Sequence, residues 1–144
     1  MDTEHICAVL VPIFSQLDQA SLVRVSQITQ HRTVEKGTQV FGPMQSEQLV
    51  ILAQGRIKAY QLSANGKEQL LRIMEPGDFE GEKGLFTQQA TTVYGEALSD
   101  SIICTLSRAD FQTLLLTYPE ISLKLLEDAA NKMTQLEKQA NLMN

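Results

Sequence analysis

Three groups of residues in this sequence are of types that carry chemistry. The first is a pair of thiols, Cys7 and Cys104, far apart in the chain. Two cysteines are too few for a disulfide scaffold, for an all-cysteine zinc site or for a four-cysteine iron–sulfur site. The second is a pair of histidines, His5 and His31. A metal-dependent enzyme built on β-strands needs two or three histidines converging with a carboxylate. Neither that set nor a Ser/His/Asp or Cys/His arrangement is suggested by the spacing, so no enzyme, no metal site and no cofactor are expected. The third is the run Pro76-Gly77-Asp78-Phe79-Glu80-Gly81-Glu82-Lys83-Gly84-Leu85-Phe86. Gly77, Gly81 and Gly84 would let backbone N–H groups turn toward an anion. Glu82 and Lys83 add a charge of each sign, and the hydroxyls of Thr91 and Thr92 follow shortly after. In the plainer alternative the glycines only shape tight turns and Glu82 caps them.

These residues need a scaffold, and the chain texture predicts one. Residues 1–17 are mixed, with a short apolar stretch from Val9 to Phe14 interrupted by Pro12. Asp18 reads as an N-cap, and Leu22, Val25 and Ile28 follow at helical spacing, predicting a helix over 18–29. From about 33 to 106 the texture turns β-rich, with runs at Gln39–Phe41, Gln48–Ala53, Arg56–Leu62, Gln69–Met74, Thr91–Ala97 and Ser101–Leu106. Turn signals separate them, among them Asn65-Gly66, where both residues tolerate positive φ and a hairpin is expected. Strands spaced in this way suggest a β-sandwich or jelly roll. Ser107 to Asp110 resembles a capping box opening a short helix with Phe111, Leu114 and Leu115 on its apolar face. Tyr118-Pro119 breaks that helix, and Pro119 opens the next at its first turn.

In the last segment Leu126, Ala129, Met133, Leu136, Ala140 and Met143 alternate by three and four. That is a two-seam heptad, and it predicts pairing of two copies along a parallel helix. With Leu126 at an a position, Lys132 falls at g and Glu137 at the following e, so the two can meet across the dimer. The alternative is an amphipathic helix lying on its own domain. The expected organisation is thus a β unit with flanking short helices over 1–118 and a dimerisation helix over 119–144.

Composition narrows the setting. The 144 residues are 43% hydrophobic and 20% charged, which favours a packed core over disorder. No apolar run reaches the roughly 18 residues a membrane helix needs, and the acidic start lacks a basic signal-peptide region, so a cytoplasmic protein without membrane contact is expected. Twelve Lys and Arg stand against seventeen Asp and Glu, a net charge of −5. No basic face is evident, and no helix-turn-helix pattern is found, so these residues are not expected to hold DNA themselves.

The order of short helix, β region, short helix and heptad helix, together with the pattern PGD-x-x-GE-x-GLF at Pro76–Phe86, resembles the catabolite-activator/FNR family of transcription regulators. The segments from Cys7 to Phe14 and from Asp100 to Cys104 look like its FNR branch, and the likeness covers about residues 7–143. The resemblance implies a mainly β fold with flanking helices: a cyclic-nucleotide-binding-like jelly roll, or double-stranded β-helix, with a long C-terminal dimerisation helix. Relatives continue into a winged helix-turn-helix that contacts DNA, and that domain is expected to be missing here, DNA being reached only through it.

The resemblance also sets expectations for the effector. In relatives that bind cAMP the residue matching Glu82 accepts the ribose 2′-hydroxyl, and an Arg followed by Ser or Thr clamps the phosphate. Here the matching stretch, Gln88-Gln89-Ala90-Thr91-Thr92-Val93, has hydroxyls and no Arg. Without that guanidinium a buried phosphodiester loses its bidentate partner; Lys83 is the alternative cation. The adenine-facing Thr and Ser of relatives fall on Leu136 and Glu137. The ligand-pocket candidates are therefore Gly81, Glu82, Lys83, Gly84, Thr91 and Thr92, for a small-molecule effector other than cAMP whose identity is open. Cys104 matches one ligand of the FNR iron–sulfur cluster, but with Cys7 alone the set is incomplete. In this fold the N-terminal segment is expected to pass near the strand of Cys104, so the two thiols can form a reversible disulfide. Closing a loop of about 98 residues would stabilise the oxidised state by roughly 4–5 kcal/mol in the chain-entropy picture. The alternative is that Cys104 is an ordinary core residue, aligned on one strand face with Ile102 and Leu106. The function implied is effector sensing and dimerisation for such a regulator; the alternative is a cyclic-nucleotide-binding regulatory module acting through protein partners.

Overall fold

The computed structural model describes residues 11–45, 47–88 and 91–142. A 3-10 turn, Pro12–Phe14, leads into α1, Gln19–Ile28. Asp18 caps this helix as its side chain accepts a 2.8 Å bond from the Ser21 N–H. Leu22 and Val25 are buried, and Ile28 packs half-buried beside them. Thr29 then takes an extended conformation and its hydroxyl closes back on the Ser26 carbonyl at 2.7 Å, ending the helix.

Among the described residues eight strands follow: β1 (Gln30–Val34), β2 (Gln39–Phe41), β3 (Gln48–Gln54), β4 (Ile57–Leu62), β5 (Glu68–Met74), β6 (Phe79–Glu80), β7 (Tyr94–Ala97) and β8 (Ser101–Ser107). They form two four-stranded sheets in the orders β1-β8-β3-β6 and β2-β7-β4-β5, with every pair antiparallel. The expected mainly β roll with flanking helices is the fold observed. β3 and β8 lie at the centre of their sheet and are buried on both faces. Leu49, Ile51, Cys104 and Leu106 face the helices, whereas Val50, Leu52 and Ile103 face the roll interior. β5 is an edge strand, and Leu70, Leu71 and Ile73 on it are exposed.

Two local readings need correction. The expected strand over 91–97 begins only at Tyr94, because the Thr91 hydroxyl accepts the Val93 N–H at 3.1 Å and competes with ladder pairing. Between β4 and β5 only Gly66 has positive φ, 82°; Asn65 does not. The expected hairpin forms, with β4 and β5 joined through a Ser63-to-Gly66 turn closed by the Gly66 N–H on the Ser63 carbonyl at 2.9 Å. His31 lies exposed on β1, three residues past the end of α1 and opposite Cys104.

After β8, Ser107 caps α2 (Arg108–Thr117) by accepting the Asp110 N–H at 3.1 Å. Tyr118 ends that helix and Pro119 opens α3, Pro119–Leu142. Ile121 is buried and Leu125 half-buried against the helix-side core. From Ala129 to Asn141 every residue is exposed. The helix spans about 36 Å, and its outer half is exposed from Asn131 to Asn141.

Candidate functional site

The glycine-bearing run sits on the rim of the roll, beside β3. Gly81, with φ of 94°, turns the chain from β6 into a 3-10 turn, Glu82–Leu85. A side chain there would be strained and would drive its Cβ into the Gln48 carbonyl. Leu85 is buried and anchors the turn from below. Gly81, Glu82, Lys83 and Gly84 are therefore held together as one rigid element. The three glycine N–H groups all have partners within the protein. Gly77 donates to the Leu52 carbonyl at 2.8 Å, Gly81 to Glu80 Oε2 at 3.3 Å and Gly84 to the Gly81 carbonyl at 3.0 Å. Gly84 is not among the glycines with positive φ.

A cation near this element escaped the sequence reading. Arg72 on β5 donates from Nη2 to the Phe79 carbonyl at 2.6 Å and lies 3.7 Å from Glu80 Oε1. Strand register alone brings it there, since ten residues separate it from Glu82 and no local motif marks it. Burial pushes the Glu82 carboxyl above its ordinary value, and the charge of Glu80 adds to the rise; Lys83, Arg72 and Lys132 oppose it. A carboxyl raised in this way binds its proton more tightly folded than unfolded. The folded state is then favoured at low pH, and that advantage fades as pH climbs from the unfolded value through the folded one. Glu82→Gln is expected to raise the urea midpoint at pH 7 relative to the unaltered chain, with the gap closing below about pH 4. Equal midpoints at both pH values would contradict the account of this carboxyl.

Thr91 and Thr92 lie elsewhere. They line a cavity of about 490 Å³ with Pro43, Gln61, Leu62, Gln69 and Tyr94, and neither Glu82 nor Lys83 is part of its wall. The Thr92 hydroxyl accepts a 2.7 Å bond from the Gln61 amide, and among the described residues no charged side chain lines the space. The six ligand candidates thus fall into two places, one charged and one neutral.

On the helical side the apolar seam is open. Leu126, Met133 and Leu136 are 66%, 62% and 64% exposed, and Ala129 and Ala140 are exposed with them; Met143 lies outside the described residues. Leu126 and Ala129 also line an apolar groove of about 430 Å³ with Phe86, Leu115, Leu125 and Lys132 among its walls. Cys104 is fully buried on β8, paired in register with His31 and Ile51, in the cluster that also holds Val11 and Phe14. Cys7 and His5 lie outside the described residues. Among the described residues no cysteine is free, no three His, Cys, Asp or Glu side chains are grouped to hold a metal ion, and no helix is long and apolar enough to cross a membrane.

Two antiparallel sheets closed into a roll, a glycine-turned element on its rim and a projecting helical arm define a domain of the cyclic-nucleotide-binding fold. The sequence pattern of the cyclic nucleotide-binding domain matches residues 31–118, and the chain belongs to that family. It is 45% identical over 139 residues to a probable transcriptional regulator, flp, of Lacticaseibacillus casei, across 96% of this chain and 64% of that protein. It is 28% identical over 112 residues to the cAMP-activated global transcriptional regulator CRP of Pasteurella multocida, across 77% of this chain and 54% of that one. The chain therefore spans less than two thirds of the length of either relative. The fold is shared with the N-terminal domain of a transcriptional regulator from Streptomyces coelicolor, at a TM-score of 0.80 and 24% identity over 96% of both chains.

Proposed function

We propose that this chain is the effector-sensing and dimerisation part of a cytoplasmic transcription regulator of the catabolite-activator/FNR type. One observation carries the reading: a heptad seam of large apolar side chains is left in water by the chain's own roll. An uncovered row of this kind marks an interaction site, and a parallel second copy supplies a matching row. Leu126, Ala129, Met133, Leu136, Ala140 and Met143 form the interface. Contact with DNA falls to a winged helix-turn-helix domain outside these 144 residues, in keeping with the greater length of the named regulators it resembles.

The effector is not cAMP. The segment 87–93 contains no Arg or Lys, and the cavity at Thr91 and Thr92 is lined by uncharged groups. A phosphodiester buried there would lose its hydration without gaining a cation. Calorimetric titration with cAMP and with cGMP is expected to show no saturable heat up to about 1 mM ligand. Saturation at micromolar concentration would overturn this and favour the second reading, a cyclic-nucleotide-binding module acting through protein partners, which the carboxylate at Glu82 on the rim element supports.

The input we favour is a reversible disulfide between Cys7 and Cys104. Val11 and Phe14, a few residues after Cys7, share a core cluster with Cys104. Two thiols would surrender two electrons and two protons to a disulfide oxidant such as oxidised glutathione. Mass analysis under non-reducing conditions after mild oxidation is expected to show an intramolecular bond, lacking two hydrogens. Two thiols that persist, or a link between chains only, would remove the switch and leave Cys104 as a core residue.

A further inference from the structure

The long helix leaves the roll at a sharp corner. Tyr118 takes φ −127° and ψ 77° at the end of α2, and Pro119, which has no N–H, begins α3. Inside the corner, the Tyr118 N–H bonds the Leu114 carbonyl at 2.9 Å and the Ile121 N–H bonds the Tyr118 carbonyl at 3.0 Å. Both bonds are local, so they shape the backbone of the corner without tying it to a third element. Direction matters here because the helix is a lever. Along about 36 Å, a rotation of about 10° at the corner displaces the far end by about 6 Å.

Arg24 reaches the corner from α1. Its guanidinium carbon lies 3.9 Å from the centroid of the Tyr118 ring, and its Nη1 lies 3.4 Å from Glu120 Oε1. One side chain therefore grips the residues on both sides of Pro119. A planar guanidinium suits this double task, since its face stacks on the ring while its edge meets the carboxylate; an ammonium does not do both. We infer that Arg24 is a positioning residue that sets the direction of α3 relative to the roll, as a clamp made to be opened. The side chains of Arg24 and Glu120 are 38% and 62% exposed. Water screens contacts of that kind, so the grip is weak and any input that shifts α1 releases it. The upstream end of α1 is well placed to receive one. The 3-10 turn before it buries Val11 and Phe14 in the cluster that holds Ile121, one turn into α3.

The test reads helix direction in the full chain. Spin labels are attached at positions 67 and 139 through ketone-bearing residues, leaving the native thiols alone, and labelled chain is diluted with unlabelled chain so that only intrachain distances are read. The unaltered chain is expected to give one narrow distance distribution. Arg24→Ala is expected to widen or split it by about twofold, as one orientation becomes several, with helix content preserved. Arg24→Lys, which keeps the ion pair and loses the stacking, is expected to fall between the two. A distribution for Arg24→Ala that superimposes on that of the unaltered chain overturns the inference. Should Arg24→Ala fail to fold, Arg24→Lys and Glu120→Gln decide in its place, and unchanged widths in both overturn it.

Discussion

The Leu136→Asp chain is expected to sediment as a 16.0 kDa monomer at about 10 µM, and the unaltered chain is expected to sediment as a dimer there. Leu136 is 64% exposed on the single chain, and every residue of α3 from Ala129 to Asn141 is exposed around it. The substitution therefore removes little that holds one chain together, beyond a helix-propensity cost of under about 1 kcal/mol. In a parallel pair the position recurs on both copies. Two carboxylates would face each other in the apolar seam and two leucines would leave it. Together these should cost about 3 kcal/mol or more, at least a hundredfold in dissociation constant. Retained helix content with a lost dimer is the expected signature. A dimer that survives the change would exclude the seam as the interface, as would an unaltered chain that is monomeric at that concentration.

Phe111→Ala is expected to lower the unfolding free energy by about 3–5 kcal/mol, read as a fall in the urea midpoint at constant slope. The ring is fully buried. It meets Phe14 edge-on at 5.8 Å and Phe86 edge-on at 5.4 Å. One side chain thus joins the N-terminal turn, the end of the rim element and α2. Because Phe86 also lines the groove along α3, the empty volume is expected to loosen the rim element and the root of the arm together. A loss below about 1.5 kcal/mol would mean that the site collapses around the gap and that the three elements are tied by other contacts.

How far these features can be read from residues alone depends on where their causes lie. Helix ends were legible because their causes are local: Asp18, Ser107 and the Tyr118-Pro119 break each act within one turn. β1 was not legible. Gln30 to Thr33 are all exposed and only Val34 is buried, so no alternation marks the strand; its pairing with β8 comes from distant residues. β6 is two residues long and hidden inside the glycine-bearing run. Thr91 and Thr92 read as strand because their side chains are β-branched, but a hydroxyl bond to the backbone won locally. The rim element itself was evident from its spacing, whereas its charge environment was not. Arg72 arrives there only because β5 pairs with β4 in one register, with Arg72 opposite Ala59 and Leu70 opposite Tyr60. The family was visible in one motif, and the grouping of candidates into a charged and a neutral place emerged only in three dimensions.

The same register has a consequence for colloidal behaviour. β5 offers an unpaired backbone edge with Leu70, Leu71 and Ile73 on it, the kind of segment through which β proteins stack into fibres. Two devices blunt it. Glu68 precedes the aliphatic stretch and Arg72 interrupts it between Leu71 and Ile73, and the irregularity between Ala59 and Tyr60 leaves Leu71 as an extra residue that twists the edge out of line. Arg72, the same side chain that lies beside Glu80, therefore sets a charge within the aliphatic edge, which disfavours edge-to-edge pairing of copies.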